Sequence, residues 1–264
     1  MRLSKLSKGI LAAITILGLL FIYLPLAVVG VNSFNQSQNM TWPPPGYTTE
    51  WWLKAFNSAG LWEAVGVSIQ VAIASTLVAL VLGTLVALAL NRYRFFGRQS
   101  VSLLVVLPIA LPGIVTGIAL NNAFTTIMGV NLGLATVVVA HATFCIVTVY
   151  NNVLARLART NPNLEDASAD LGAGVWTTFR LVTFPQLRSA LVAGGLLAFG
   201  LSFDEIIVTT FTAGSGVVTL PIWILDNMFR PGQAPVVNVV AVVLVLTSAI
   251  PIYFAQRLST SDQR

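Results

Sequence analysis

The stretch from residue 99 to 155 decides the fold: QSVSLLVVLPIALPGIVTGIALNNAFTTIMGVNLGLATVVVAHATFCIVTVYNNVLA. It contains no Asp, Glu, Lys or Arg, and it is long enough for two membrane-spanning helices, which need about 20 apolar residues each. Glycine and asparagine between positions 129 and 133 are typical of a turn and divide the stretch in two. We therefore predict two transmembrane helices, near 101–121 and 133–155.

The same apolar pattern continues on both sides of this stretch. Hydrophobic residues make up 56% of the 264 residues and charged residues 9%, and the mean hydropathy is +0.84. A soluble domain of this size does not need such a composition for its core. We predict an all-α integral membrane protein with six transmembrane helices, forming a single transmembrane domain over residues 1–264. The four further helices are predicted near 9–31, 65–91, 189–211 and 236–256.

The basic residues predict the orientation of the helices. If the N-terminus lies inside, only Lys54 and Arg230 of the 14 Lys and Arg residues fall in outer segments. The positive-inside rule then predicts that both termini are cytoplasmic, which agrees with an even number of spans. The first span is expected to be a retained signal anchor, because its apolar run is longer than that of a cleaved signal peptide. The net charge of +5 does not indicate nucleic acid, because the basic residues do not cluster on one polar face.

The segment between the fourth and fifth predicted spans is the most informative: NPNLEDASADLGAGVWTTFRLVTFP, residues 161–185. Pro162 suits the first position of a helix, and Glu165 and Asp166 suit its positive N-terminal end. Gly172 can take the left-handed conformation that ends a helix. These features predict a short helix at the cytoplasmic surface.

A second short helix is predicted from about Val175 to Thr183, ending before Pro185. Apolar side chains of both helices, including Leu171 and Trp176, would then remain on the cytoplasmic surface. An exposed apolar surface of this kind is typical of a docking site. The alternative is a solvated elbow between two spans.

The spacing in this segment resembles the EAA loop of ABC importer permeases, written as EAA, three residues, Gly, nine residues and I-x-L-P. Asp166-Ala167-Ser168 stands at the EAA positions, Gly172 follows at the same offset, and residues 182–185 close the motif. Asp for Glu and Ser for Ala keep the acidic charge and the small volume. The resemblance implies the type I importer permease fold, with residues 161–185 as the coupling loop that docks into an ATPase subunit. The resemblance assigns this docking role to five residues: Glu165, Asp166, Ala167, Ser168 and Gly172.

Two further runs resemble spermidine/putrescine permeases of the PotC type, and the likeness extends over nearly the whole chain. They are LPIALPGIVTG at 107–117 and LSFDEIIVTTFTAG at 201–214, the second followed by TLPI at 219–222. The resemblance implies transport of polyamines across the bacterial cytoplasmic (inner) membrane. The implied partners, besides membrane lipid, are a second, PotB-like permease subunit, two copies of a cytoplasmic ABC ATPase, and an extracytoplasmic solute-binding protein. ATP and Mg would be bound by the ATPase, and this chain would bind no cofactor.

Two carboxylates, Asp204 and Glu205, lie in the predicted fifth span. Each costs about 2.5–3.5 kcal/mol to insert, so each needs a partner or water. The cores of the other predicted spans contain no Lys or Arg. We predict that these carboxylates lie on the path of a cationic substrate, with Asp204 as the better candidate because adjacent helical residues point about 100° apart. The alternatives are a pair with His141 in the fourth span, or a contact with a neighbouring subunit.

Other residues are candidates for the pathway or a gate. Pro108 and Pro112 each remove a backbone hydrogen bond from the third span, which predicts a kinked, pore-lining helix. The alternative is the ordinary tolerance of proline in a membrane bundle. Pro221 and Trp223 lie in an outer segment that forms either an external gate or an interfacial loop, and His141 is a further pathway candidate.

The sequence contains none of the motifs GxxxxGK[ST], HExxH or GxSxG. We therefore predict a transport subunit that is not an enzyme and has no metal site, with ATP hydrolysis supplied by a partner. Two alternatives remain: a permease of the same class for another small organic solute, and a stand-alone ion-coupled carrier whose carboxylates bind protons or cations. The EAA spacing argues against the carrier, because a carrier does not need a docking helix.

Overall fold

The computed structural model describes residues 4–161 and 163–261, with the side chains of the last helix described up to Ser248. The described residues form twelve α-helices and no β-strand. In chain order the helices are α1 (Lys5–Asn32), α2 (Glu50–Phe56), α3 (Ala59–Arg92), α4 (Arg98–Ala110), α5 (Gly113–Asn122), α6 (Leu134–Leu157), α7 (Asn163–Asp170), α8 (Val175–Thr178), α9 (Phe184–Phe203), α10 (Ile207–Thr212), α11 (Leu220–Met228) and α12 (Ala234–Ser261). Two π-helical segments continue them, Ala123–Ile127 after α5 and Phe179–Thr183 between α8 and α9.

Four helices among the described residues are long and apolar enough to cross a membrane. They are α1, α3, α6 and the continuous run Val175–Phe203, which joins α8 to α9. The pair α4 and α5 makes a fifth candidate if it counts as one span. α1 and α3 contain the stretches predicted near 9–31 and 65–91, α6 begins one residue after the start predicted near 133, and α12 begins close to the start predicted for the last span.

The third predicted helix, 101–121, is not continuous, and the prediction of one span-long helix there is corrected. α4 passes through Pro108 and ends at Ala110, and the next helix begins at Gly113 at an angle of 107° to it. The break falls at Pro112 because proline has no N–H and holds the residue before it in an extended conformation. Leu111 is extended, with φ −83° and ψ 143°.

The predicted helix at 189–211 also differs from the structure. The observed helix begins earlier, at Val175, and it runs through Pro185, where a stop was predicted. Pro185 lies just after the π-helical segment Phe179–Thr183, where the α-helical hydrogen-bond pattern that a proline would interrupt is already changed. The helix ends at Phe203, and α10 resumes at Ile207 after a break of three residues.

The chain divides into two compact units, and the larger one covers residues 62–223. Its core lies where α3, α6 and α9 meet, and it combines large buried side chains such as Tyr150 and Leu187 with many small ones. The fully buried side chains include Ala79 and Ala87 of α3, Cys145 and Val149 of α6, and Ala198 of α9. Small residues allow the helices of a membrane bundle to approach closely, so that backbone and side-chain contacts replace the hydrophobic effect as the main attraction.

Gly83 marks a close approach between α3 and α6. A Cβ atom there would lie 2.9 Å from the carbonyl oxygen of Ile146 and 3.0 Å from the Cβ of Val149. We expect Gly83→Ala to push the two helices apart and to lower the free energy of unfolding by about 1–3 kcal/mol. The measurement is the midpoint of thermal unfolding of the purified chain in detergent.

Gly66→Ala is the matched control for this prediction. Gly66 lies on the same helix, and no atom lies within 4 Å of the Cβ that alanine would add there. Equal losses of stability in the two variants would contradict the close approach at Gly83.

The smaller unit covers residues up to 61 together with those from 224 onward. In it, α12 packs against both α1 and α2. Trp51 of α2 is buried, and its indole N–H donates to the carbonyl oxygen of Asn35 at 2.8 Å. Among the residues that the structure describes, none of α1 is buried, so its apolar side chains there remain available for lipid or another subunit.

Candidate functional site

The first candidate site is the loop of residues 161–185, which contains α7 and α8. Pro162, predicted to occupy the first helical position, lies outside the described residues. At the end of α7, Gly172 has φ +80°, the left-handed conformation predicted for it. The N–H of Ala173 donates to the carbonyl oxygen of Ser168 at 3.1 Å and closes this turn.

One side of α7 faces inward and is held by two polar contacts. The Oε1 atom of Glu165 accepts hydrogen bonds from Arg92 Nη2 and Thr183 Oγ1, each at 2.5 Å. One turn further on, the hydroxyls of Ser168 and Thr178 are hydrogen-bonded at 3.0 Å. The helix is therefore attached through Glu165 to the end of α3 and the segment before α9, and through Ser168 to α8.

These contacts determine the charge of Glu165. Partial burial favours the neutral acid, but the hydrogen bonds from Arg92 and Thr183 and the positive charge of Arg92 outweigh it, so the pKa of Glu165 is lowered. Because the pKa of Glu165 is lower in the folded protein than in the unfolded chain, the ionised carboxylate stabilises the fold. This stabilisation is complete at pH values above the usual pKa of a glutamate. This stability is lost in acid, as the pH falls through the lowered value. Glu165 is thus ionised at neutral pH.

The other side of the loop is exposed. Asp166 and Ala167 lie on it, and the side chains of Leu171 and Trp176 are 89% and 72% exposed. Trp176 stacks on Phe179 with ring centroids 5.7 Å apart, and both rings line a groove with residues of α3 and α9, so the indole lies on the side of the spans. We call Asp166, Ala167 and Leu171 the loop face. It combines the acidic charge of Asp166 with the apolar side chain of Leu171, and its role as a docking surface stays a prediction.

The second candidate site is the helix break between α9 and α10. Asp204 ends α9, with its N–H bonded to the carbonyl oxygen of Gly200 at 3.1 Å. Its carboxylate is exposed and has no hydrogen-bond or ion-pair partner among the side chains that the structure describes. Glu205 is half-buried, and its Oε1 atom accepts the N–H of Val208 at 2.8 Å in the first turn of α10. The two carboxylates therefore have different surroundings: Glu205 caps a helix, and Asp204 is open.

His141 does not pair with either carboxylate. It is completely buried, and its Nδ1 and Nε2 atoms are each 2.8 Å from a hydroxyl, that of Ser202 on α9 and that of Thr209 on α10. The Thr209 hydroxyl donates its proton to the carbonyl oxygen of Glu205 at 2.9 Å. A ring nitrogen of His141 thus lies at hydrogen-bond distance from a hydroxyl on each of the two helices. One histidine joins the two helices on either side of the break.

Sequence reasoning did not identify Ser202 and Thr209. The available signal is a hydroxyl residue in an apolar helix on each side of the two carboxylates. Such hydroxyls can also bond to their own helix backbone, so the sequence does not single them out.

We expect His141→Leu to lower the free energy of unfolding by about 1–3 kcal/mol, because the buried Ser202 hydroxyl loses its partner. The midpoint of thermal unfolding measures the loss. The double variant with Ser202→Ala should lose less than the sum of the two single variants, since it removes both hydrogen-bonding groups. Strictly additive losses would contradict the bond.

The two helix breaks lie side by side. A Cβ atom on Gly113, the first residue of α5, would lie 3.5 Å from the Cβ of Ile207, the first residue of α10. Asn121 near the end of α5 donates to the carbonyl oxygen of Phe211 at 2.6 Å. The break after Pro112 and the break at Asp204 are thus brought together by the packing of α5 on α10. Broken helices that meet in this way are typical of substrate sites in membrane transporters.

The gate candidates occupy the start of α11. Pro221 lies in its first turn, and the N–H of Leu220 donates to the hydroxyl of Ser68 at 2.7 Å. Trp223 is half-buried, and its N–H donates to the carbonyl oxygen of Thr219 at 2.8 Å. Pro108 lies inside α4, away from the break. Gate and pathway roles for these residues stay predictions.

Comparison with known proteins identifies the family. A family model described as a binding-protein-dependent transport system inner membrane component matches residues 79–263. The putrescine transport system permease protein PotI of Escherichia coli K12 is 32% identical over 238 residues, covering 88% of this chain and 84% of PotI. The spermidine/putrescine transport system permease protein PotC of the same organism is 33% identical over 240 residues, covering 90% and 89%.

Two further likenesses extend the comparison. The putative 2-aminoethylphosphonate transport system permease protein PhnV of Salmonella paratyphi A is 30% identical over 247 residues, covering 92% of each chain. A solved chain of a bacterial ABC transporter involved in the import of the acidic polysaccharide alginate superposes with a TM-score of 0.76, over 97% of this chain and 99% of that one, at 14% identity. The fold is therefore that of an ABC transporter chain. This protein belongs to the family of binding-protein-dependent transport system inner membrane components, the permease subunits of ABC importers.

Proposed function

We propose that the chain is the permease subunit of an ATP-driven importer of polyamines such as putrescine and spermidine. The observation that carries the proposal is the open carboxylate of Asp204 at the meeting point of two broken helices. An unpaired charge in an apolar bundle is costly, and it is retained where a cation or water reaches it. A polyamine supplies that cation as a protonated amine.

The names of the relatives support this substrate class. PotI and PotC are named for putrescine and for spermidine with putrescine. PhnV is named for 2-aminoethylphosphonate, which also carries an amino group. The second candidate is therefore a permease of the same class for another small amine, in which Asp204 would have the same role.

The proposed assembly contains this chain, a second, PotB-like permease subunit, two copies of a cytoplasmic ABC ATPase, and an extracytoplasmic solute-binding protein. ATP and Mg would be bound by the ATPase subunits. The uncovered apolar side chains of α1 and of the loop face support contacts with other subunits. We further propose six spans with both termini cytoplasmic. The distribution of Lys and Arg supports this orientation, which puts the loop face on the side of the ATPase.

The proposed mechanism uses the continuous helix Val175–Phe203. Closure of the ATPase subunits would move the loop at the start of this helix. A helix of 29 residues is about 43 Å long, so the movement would reach the break at Asp204 on the far side of the bundle. Tilting of this helix would open the path outward to receive the amine near Asp204, and hydrolysis would return it inward.

The test is ATP-dependent uptake of radiolabelled putrescine and spermidine into vesicles that hold the full complex. Saturable uptake of either polyamine that requires ATP supports the proposal. Uptake of 2-aminoethylphosphonate without polyamine uptake would replace the substrate assignment with the second candidate. Uptake driven by an ion gradient in the absence of the ATPase would instead indicate a stand-alone carrier.

A further inference from the structure

The carboxylate of Glu165, with the side chains of Arg92 and Thr183, joins three segments of the chain that are distant in the sequence. Arg92 is the last residue of α3, Glu165 lies in the first turn of α7, and Thr183 is the last residue before α9. Glu165 is 73 residues from Arg92 and 18 from Thr183. Arg92 Nη2 also lies 3.3 Å from the Thr183 hydroxyl, so the three side chains form a closed triangle.

The side chains of this triangle are more shielded from water than those of an ordinary surface ion pair. The side chains of Arg92 and Glu165 are 28% and 32% exposed, and Thr183 is buried. Partial burial weakens screening by water and salt, and a charge-assisted hydrogen bond holds a fixed geometry. Each charge also interacts favourably with the dipole of its own helix, because the positive Arg92 is at a C-terminal end and the negative Glu165 is at an N-terminal end.

Glu165 is directed away from the loop face. Its Oε1 atom accepts from Arg92 and Thr183, on the side of α7 that also carries the Ser168 contact with Thr178. Asp166, the next residue, lies about 100° further around the helix and is exposed. The two adjacent acids of the loop therefore have different positions relative to a docked subunit.

We propose that Glu165 is a positioning residue which, with Arg92 and Thr183, attaches α7 to the spans α3 and α9, and that it does not contact the ATPase. This inference rests on the proposed docking of the loop face to the ATPase. When the ATPase moves α7, the triangle makes α3 and α9 move with it. Without the triangle, the ATPase still binds and hydrolyses ATP, but part of the movement of α7 is lost before it reaches the spans.

The test compares Arg92→Glu, Glu165→Arg and the double variant that exchanges the two charges, in the full complex in vesicles. Arg94→Glu is the matched control, because it makes the same charge change at an exposed position two residues from Arg92. Two quantities are measured: the amount of ATPase that co-purifies with the permease, and the substrate transported per ATP hydrolysed.

We expect each single variant to retain the ATPase and to lose about tenfold in substrate transported per ATP, and the double variant to recover most of this loss. The control should keep the wild-type ratio. If Glu165→Arg releases the ATPase and Arg92→Glu does not, Glu165 is a docking contact and the proposal is wrong. A double variant no better than the single ones would also overturn it.

Milder variants keep the test valid if charge reversal prevents folding. Glu165→Gln and Thr183→Val each weaken one side of the triangle without a buried like-charge pair. Both should lower the transport ratio while the ATPase stays bound, and an unchanged ratio in both would overturn the proposal. A wild-type permease that retains no ATPase would contradict the docking of the loop itself, which is a different result from a failed charge exchange.

Discussion

We expect Asp166→Lys to reduce ATP-dependent uptake by at least about tenfold while the permease remains in the membrane, a loss on the scale of a desolvated charge pair. Asp166 lies on the exposed loop face, so the change reverses a charge where the ATPase is proposed to dock. Its effect on the fold should be small, because a lysine near a helix N-terminus costs only about 0.3–1 kcal/mol. Uptake, ATP hydrolysis and the amount of permease in the membrane are measured together.

Glu63→Lys is the control for this charge reversal, since Glu63 is exposed at the start of α3, far along the chain from the loop.

Gly172→Trp tests the same surface without a charge change. Gly172 has a φ of +80°, so any side chain there strains the backbone. Gly172→Ala is the control that measures this strain alone, because no described atom lies within 4 Å of the Cβ that alanine would add. Wild-type uptake in both Asp166→Lys and Gly172→Trp would contradict docking at this face.

Asp204→Asn is expected to nearly abolish polyamine uptake while leaving the complex assembled. The amide keeps the shape of the side chain but removes the charge that would balance a protonated amine in an apolar bundle. Insertion of the helix should become easier, since a carboxylate costs about 2.5–3.5 kcal/mol there. Initial rates of uptake of radiolabelled putrescine and spermidine in vesicles provide the measurement, with co-purified ATPase as the check on assembly.

Glu205→Gln is the matched control for Asp204→Asn. Glu205 accepts the N–H of Val208, and glutamine can still accept that hydrogen bond through its side-chain oxygen. We therefore expect a much smaller effect on uptake than at Asp204. Full uptake by Asp204→Asn, or equal losses in the two variants, would contradict the role proposed for Asp204.

The chemical difference between Asp204 and Glu205 could not be predicted from the sequence. An uninterrupted helix only predicts that adjacent residues point in different directions. The structure breaks the helix at Asp204, and Glu205 accepts an N–H in the first turn of the next helix, whereas Asp204 has no partner among the side chains that the structure describes. His141, a candidate partner by sequence, is instead bonded to Ser202 and Thr209.

The sequence by itself determined the membrane class, the family and the spacing of the motif at residues 161–185, because these follow from local properties. Apolar runs of spanning length are visible as composition, and the left-handed Gly172 follows from its place after a short helix. The loop motif is likewise a matter of spacing along the chain. Each of these features requires only residues that are close in sequence.

Only the tertiary structure decided which side chains of these segments meet. The inward position of Glu165 depends on Arg92, 73 residues away, and the pairing of the breaks at Pro112 and Asp204 depends on the packing of α5 against α10. The direction a helix faces is set by the sum of many contacts with its neighbours, each weak and distant in sequence. A local pattern therefore predicts that a helix forms, and the packed bundle decides what each of its faces contacts.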